Sequence, residues 1–407
     1  MARPFRAFDC WTPRSKACML DGTTFREIVS QRRRGVAPSL FRGVLRAAEL
    51  PYSLAVSWRN RRYDRGHAVV RGVNVPVISV GNLTLGGTGK TPMVKWLARY
   101  LTARGIRVAI VSRGYGARST VQGARSDENG ASGERQDRPR DNLGSVLPAL
   151  NDEALELEQS LPGVPHVQDP DRVAGAQRAI DQFGCQLVLL DDGFQHRRLA
   201  RDLDIVLLDA LEPFGHEHVF PRGTLREPLA GLQRADIVCL TRAAAIATHE
   251  REAIRRRIFR LAPQAAWCEA THGPTKLLSA SGDWRPLALL SGKRVAAFCG
   301  IGNPAGFRHT LASTGAQVVA WREFPDHYAF AMADQKELEK FVAHSDAELV
   351  VCTHKDLVKL RQNEIAGRPL WAVEIEMQFL SGCELIEELV KRVTGGDARQ
   401  APGSAGG

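Results

Sequence analysis

Gly86-Gly87-Thr88-Gly89-Lys90-Thr91 has the residue types and spacing of a phosphate-binding loop. Glycines let the backbone curl until successive N–H groups converge on phosphate oxygens, and the N-terminus of a following helix adds a favourable field. Lys90 is then placed to reach the terminal phosphates of a nucleotide, and the Thr91 hydroxyl to sit on Mg²⁺. The strict pattern has a glycine where this chain has Thr84. Further on, Asp191-Asp192 closes an apolar run. Carboxylates at the C-terminal end of a strand face the crevice where open α/β sheets bind ligands. One of the two can hold Mg²⁺ while the other orients a neighbour. Asp152 opens a helix, which can bring a carboxylate beside a transferred phosphate and equally suits a plain cap. His327 follows Asp326, a neighbour able to fix the tautomer an acid or base needs, although an ordinary exposed loop histidine looks the same.

These residues need a frame to hold them. An apolar run from Val75 to Val80 feeds the glycine loop, and Met93, Val94, Leu97, Ala98 and Leu101 then recur at helical spacing. Strands are expected at Ile106–Val111, Leu187–Leu190, Ile205–Leu208 and Ile237–Leu240. After a polar stretch near 271–292, further strands follow at Val295–Phe298, Gln317–Ala320, Leu349–Cys352 and Leu370–Val373, with helices between. Strands alternating with helices imply a doubly wound parallel sheet. The expected organisation is a basic N-terminal segment (1–72), a P-loop domain (73–280) and a smaller α/β lobe (291–393). Residues 117–145, with almost no large apolar side chains, read as a mobile surface loop, and 394–407 as a disordered tail. The segment 214–228 mixes glycine, proline, cations and acids, and reads as a substrate loop. His216 and His218 within it lack an assured third metal ligand. Thr353-His354-Lys355-Asp356 has its lysine one position late for guanine recognition, so no guanine specificity follows.

The chain's 407 residues are 44% hydrophobic and 25% charged, a composition that suits a soluble-type protein long enough for two domains. No apolar run reaches the length of a membrane span, and the first twenty residues lack the apolar core of a signal peptide. None of the eight cysteines forms a Cys-x-x-Cys pair, which argues against a zinc ribbon or disulfide framework and for a reducing compartment. Residues 1–72 carry 15 Lys/Arg against 5 Asp/Glu, so the whole excess of +10 lies there. Within them Leu40, Phe41, Val44, Leu45 and Ala48 recur at helical spacing beside Arg42 and Arg46. That pattern fits a helix lying in an anionic membrane interface. It also fits an amphipathic helix packed on its own domain. No aromatic-interleaved module accompanies the charge, so nucleic acid is not an expected partner.

Taken in order, several motifs resemble the tetraacyldisaccharide 4′-kinase (lipid A 4′-kinase) family. They are Val80-Gly81-Asn82-Leu83-Thr84 running into the P-loop, Ser112-Arg113-Gly114-Tyr115-Gly116, Asp191-Asp192-Gly193-Phe194-Gln195-His196 and Pro221-Arg222-Gly223-Thr224-Leu225-Arg226-Glu227-Pro228. Gly300-Ile301-Gly302-Asn303-Pro304, Phe324-Pro325-Asp326-His327 and Thr353-His354-Lys355-Asp356 complete the set, and the likeness spans roughly residues 25–393. The resemblance implies transfer of the ATP γ-phosphate to the 4′-hydroxyl of a tetraacyldisaccharide 1-phosphate, at the cytoplasmic face of the inner membrane of a Gram-negative bacterium. It implies Asp152 as general base, His327 as its helper across the cleft, Lys90 and Thr91 at the phosphates and Mg²⁺, and Asp191 and Asp192 at the metal. The family's Gly-Asp-Glu-Pro is here Asn151-Asp152-Glu153-Ala154, and its Gly-Asn-Gly is Gly215-His216-Glu217. A P-loop switch or partitioning ATPase is the competing reading, but that class places a further lysine where this chain has Leu85. A soluble small-molecule kinase is a third.

Overall fold

The computed structural model describes residues 22–29, 33, 35–114, 121–122, 152–326 and 328–395. His327, all of the 117–145 loop except Val121–Gln122, and the tail from 396 lie outside the described residues. In chain order the first elements are α1 (Gly22–Val29), α2 (Val36–Asp64), β1 (Val77–Asn82), α3 (Lys90–Thr102), β2 (Val108–Ser112), β3 (Val121–Gln122), α4 (Asp152–Ser160), β4 (His166–Gln168) and α5 (Arg172–Phe183). Next come β5 (Leu187–Asp191), β6 (Leu203–Asp209), β7 (Ile237–Thr241), α6 (Thr248–Leu261), β8 (Ala266–Leu278), β9 (Trp284–Pro286), β10 (Arg294–Cys299) and α7 (Pro304–Ser313). The last are β11 (Gln317–Glu323), α8 (Met332–Ala343), β12 (Leu349–Thr353), α9 (His354–Leu360), β13 (Glu364–Ile365), β14 (Arg368–Ser381) and α10 (Cys383–Thr394).

The strands form one mixed sheet in the order β11-β10-β12-β14-β8-β7-β6-β1-β5-β2-β4-β3, with β9 and β13 paired off this path. Pairs at the centre are parallel, and β1 and β5 are buried at every residue. Such strands read as unbroken apolar runs because helices cover both faces. On one face Ile78, Val80, Leu187 and Leu189 pack against Val94, Leu97 and Leu101 of α3 and Leu157 of α4. On the other, Val77, Val111, Val188 and Leu190 pack against Ala176 and Ala179 of α5. The C-terminal α10 returns to the first face, where Ile386 and Val390 join Ile205 and Leu207. The expected α/β class is what the chain adopts.

The polar stretch after 270 departs from the simple picture. Its first part, to Leu278, belongs to β8, which pairs with β7 in parallel and with β14 in antiparallel fashion from Ala372↔Leu278 to Ser381↔Glu269. β14 is likewise longer than its apolar core Leu370–Val373, because Glu374, Glu376 and Gln378 continue the strand. Polar side chains are tolerated here because an antiparallel pair can leave one face wet. Arg99 of α3 meets two of these acids, Glu374 at 2.9 Å and Glu376 in a close ion pair.

Helix α2 is amphipathic in an unusual sense. Only Leu45 of its 29 residues is a buried hydrophobe, whereas Val36, Leu40, Val44, Leu54 and Trp58 are 63–79% exposed. Spaced by fours and tens, they line one side of the helix. Its opposite side is held by polar and aromatic contacts: Glu49 to Arg222 at 3.1 Å, Asn60 to Glu227 at 2.8 Å, and Tyr52 edge-on to Phe220. Among the described residues no helix is long and apolar enough to cross a membrane.

Candidate active site

The glycine loop hangs between the end of β1 and the start of α3, and its shape follows from local bonds. Asn82 turns its side-chain amide back to donate to the carbonyls of Thr84 (2.9 Å) and Gly86 (3.4 Å). Gly86 and Gly89 have φ of 125° and 87°, a region that side chains rarely enter. The loop leans on the neighbouring strand ends. The Thr241 hydroxyl reaches the Thr88 carbonyl at 2.9 Å, and Arg242 reaches the Gly87 carbonyl at 3.4 Å while paired with Asp209.

Asp191 ends β5 opposite Val80, and Asp192 follows with φ 53°, a left-handed backbone that few non-glycine residues take. Backbones pack closely around this turn. A Cβ on Gly81 would lie 2.8 Å from the Phe194 nitrogen, and one on Gly193 would lie 2.7 Å from Ser79 Oγ. The strained turn brings Asp192 within 3.7 Å of Lys90 Nζ. Both Asp192 oxygens also accept from Arg226 Nη1, at 2.7 and 2.8 Å. Burial pushes the Asp192 carboxyl up, but Lys90 and Arg226 outweigh it and leave the group below the ordinary carboxylate range.

Arg226 is well placed because the 214–228 segment is stitched to the P-loop. Arg226 N donates to Leu83 O and Leu85 N to Thr224 O, both at 2.7 Å, and Thr84 and Leu225 form an antiparallel bridge. The neighbouring Glu227, fully buried, gathers Arg234 on both oxygens at 2.9 Å, Asn60 of α2 at 2.8 Å, and Gln195 at 3.1 Å. Gln195 in turn donates to Asn82 O at 2.8 Å. A continuous polar chain therefore runs from α2 to the strand that carries the P-loop. His216 and Glu217 stand where the resembled motif has Asn-Gly, and both have positive φ (54° and 67°). Glu217 is held there by Arg257, which also stacks on Phe214.

The structure brings Gly86, Gly87, Thr88, Gly89, Lys90, Thr91, Asp191 and Asp192 to one end of the sheet. Asp152 begins α4, which packs on α3, the helix that opens with Lys90 and Thr91. His327 lies outside the described residues, while its neighbour Asp326 abuts the 300–304 loop, where a Cβ on Gly302 would come 2.8 Å from Asp326 Oδ2. His216 faces Glu212 and His218 faces Glu49, and no cluster of three metal-ligating side chains occurs among the described residues. Thr353 and Asp356 cap α9, and Asp356 accepts the Gly300 N–H at 3.0 Å, a structural use of that motif. Sequence reasoning did not single out His272. This residue of β8 packs on Gly89, and burial lowers its imidazole to about 4, with Arg242 adding to the effect. No periodic signal marks it, since the contact joins residues 183 positions apart.

The profile of the family described as tetraacyldisaccharide-1-P 4′-kinase matches residues 41–394. A tetraacyldisaccharide 4′-kinase of Anaeromyxobacter dehalogenans (strain 2CP-C) is 41% identical over 362 residues, covering 88% of this chain and 92% of that protein. Another from Syntrophus aciditrophicus (strain SB) is 39% identical over 358 residues, covering 84% and 90%. Among solved structures, the "apo" form of LpxK from Aquifex aeolicus in complex with ATP matches with TM-score 0.67 and 28% identity, over 87% of this chain and 99% of that one. With the profile spanning most of the sequence and the relatives aligned over most of their own lengths, the chain belongs to the tetraacyldisaccharide-1-P 4′-kinase family.

Proposed function

We propose that this enzyme transfers the γ-phosphate of ATP to the 4′-hydroxyl of a tetraacyldisaccharide 1-phosphate, at the cytoplasmic surface of the inner membrane. The observation that carries this reading is the linkage of two features by one polar chain. A P-loop with Lys90, Asp192 and Arg226 at its mouth is tied through Gln195 and Glu227 to a helix that shows apolar side chains to the outside. A soluble acceptor would not call for that helix beside the phosphate site. A helix with an exposed apolar side and Arg59, Arg61 and Arg62 near its end suits an interface of anionic lipid.

In this reading the backbone N–H groups of Gly86 to Lys90 and the Lys90 ammonium receive the phosphate chain. Thr91 and the Asp191–Asp192 pair offer hard oxygen donors, and a set this small suits Mg²⁺, which keeps several waters and shares its remaining sites with phosphates. When bound, Mg²⁺ offsets the negative charge on the transferring group. Asp192 already gives both oxygens to Arg226, which points to Asp191 as the carboxylate nearer the metal. Asp152 accepts the proton of the acceptor hydroxyl, and His327 assists from the other side of the cleft. Arg226 and Lys90 hold charge where it must be neutralised, and phosphate transfer depends chiefly on such placement.

The test is transfer of labelled γ-phosphate from MgATP to tetraacyldisaccharide 1-phosphate in detergent. Lys90→Ala and Asp152→Ala are each expected to lower it by about two orders of magnitude. Steady acceptor-independent hydrolysis without labelled lipid would instead identify a nucleotide-driven switch.

A further inference from the structure

Helices α3 and α4 meet along a row of matched positions. Lys95 Nζ of α3 lies 2.7 Å from Glu156 Oε1 of α4, with side chains 3% and 12% exposed. One turn further along both helices, Arg99 Nη2 donates to the Ser160 carbonyl at 3.4 Å. Lys95 and Arg99 are four residues apart, as are Glu156 and Ser160, so each pair occupies one face of its helix. Because both steps run toward the C-termini, the helices lie side by side in the same sense. The topology requires this too. α3 returns from β1 to β2 and α4 leads into β4, and these strands are parallel through β5.

Counting one turn back, about 5.4 Å toward the N-termini, arrives at Thr91 on α3 and Asp152 on α4. We propose that the two helices form a three-rung ladder whose third rung sets Asp152 opposite Thr91, making Lys95 and Glu156 positioning residues for phosphate transfer. The inference rests on the reading of Asp152 as base and adds what holds it there. Burial pushes the Glu156 carboxyl up, yet Lys95, with His354 and Lys355, more than reverses this and brings it to about 2. The Glu156 carboxylate therefore stays ionised throughout the neutral range. The far end of α4 is fixed from the second half of the sheet, where His354 Nε2 meets Gln159 Oε1 at 2.9 Å and His354 Nδ1 meets Ser160 Oγ at 3.4 Å.

An apolar pair of similar volume in place of Lys95 and Glu156 would pack as well or better, so stability alone does not explain a buried ion pair. What an ion pair adds is a preferred register. Apolar side chains let one helix slide along another, whereas an ammonium and a carboxylate at contact distance do not. A displacement of about 1 Å at the base is enough to lower turnover on the order of 100-fold.

The experiment compares Lys95→Met/Glu156→Leu with wild type, each in a normal and an Asp152→Asn background. MgATP affinity, kcat and KM for the lipid acceptor, and thermal unfolding are measured for all four proteins. The ladder predicts a folded apolar variant with unchanged ATP affinity, a kcat lower by about 100-fold, and no further loss in the Asp152→Asn background. Unchanged kcat in the apolar variant, or an equal loss in both backgrounds, overturns it. If Asp152→Asn alone keeps near wild-type turnover, the assignment of the base fails first and the ladder falls with it. If Asp152→Asn is inactive but the apolar variant is not, only the ladder fails. Should the apolar variant not fold, Lys95→Arg/Glu156→Asp carries the same cycle. This variant keeps both charges with altered reach, and a kcat loss that vanishes in the Asp152→Asn background counts for the ladder while full kcat or an Asp152-independent loss counts against.

Discussion

Gly89→Ala tests the P-loop geometry at its tightest point. Gly89 caps α3 with φ 87° and ψ 26°. Left-handed backbone costs an alanine about 1–2 kcal/mol there. The new methyl would also overlap Nε2 and Cε1 of His272. That ring has little room to retreat, because its tip is buried and its backbone is paired opposite Met377 of β14. The loop must yield instead, and a shift of about 1 Å re-aims the N–H groups of Thr88 to Lys90, a loss on the order of 100-fold in productive placement. Nucleotide affinity is therefore expected to fall about 100-fold, or roughly 2.7 kcal/mol. Trimming the obstacle separates the two causes. Gly89→Ala/His272→Ala removes the overlap but not the backbone cost, so about tenfold should return, with His272→Ala alone closing the cycle. Titration with a fluorescent ATP analogue reads the affinities, and unfolding of the ligand-free proteins checks that the damage is local. Wild-type affinity in Gly89→Ala, or no recovery in the double variant, would refute the argument that His272 fixes the loop.

Other expectations follow from the same geometry. Arg226→Ala should lower phosphate transfer by one to two orders of magnitude, and Arg226→Lys should recover part of it, since a single nitrogen, Nη1, holds both Asp192 oxygens and an ammonium can stand in its place; a lysine variant as slow as the alanine one would sink this. Replacing Leu40, Val44, Leu54 and Trp58 by serine should release the protein from anionic vesicles while leaving ATP affinity intact, because all four are exposed and none lies in the network to Glu227; unchanged vesicle partition would count against the interface helix. His272 and His354 are both lowered from the ordinary 6.5 to about 4 by burial, so only the unfolded chain takes up their protons between those values. Their contribution is complete above pH 6.5 and is lost as pH falls through 4, each withdrawing up to roughly 3 kcal/mol. Urea titrations from pH 7 to 4.5 should show this slope, and His272→Gln/His354→Gln should flatten it.

What could be read from the sequence is what local rules control. β1, its glycine loop and α3 announce themselves through an apolar run, residues able to take positive φ, and helical spacing, and each of those signals spans only a few positions. Asp191 and Asp192 were legible for the same reason, as acids closing a buried strand. The half-exposed strands were less so. β8 and β14 carry Glu374, Glu376, Gly273 and Pro274 with register shifts between them, so neither keeps the clean alternation that marks a strand. Contacts between distant segments left no trace at all. Nothing in Leu225-Arg226 says that it bridges to Leu83-Thr84, nor in His272 that it rests on Gly89.

Lys95 shows why spacing alone falls short. The intervals of four that link Thr91, Lys95 and Arg99, and Asp152, Glu156 and Ser160, are plain in the sequence, but they say nothing about which helices meet. On a helix with Met93, Val94, Leu97 and Leu101 buried, a lysine would ordinarily be assigned to the solvent side. The strand order decides otherwise. Because β2 lies between β5 and β4, the helices entering and leaving it must be neighbours, and Lys95 of one then faces Glu156 of the other. Burial of Lys95 is thus a consequence of topology, and its partner Glu156 makes that burial tolerable. The phosphate loop and the helix carrying Asp152 are encoded separately, some sixty residues apart. Their alignment is encoded nowhere locally, and it depends on a charge pair whose removal should leave the fold standing and the reaction slow.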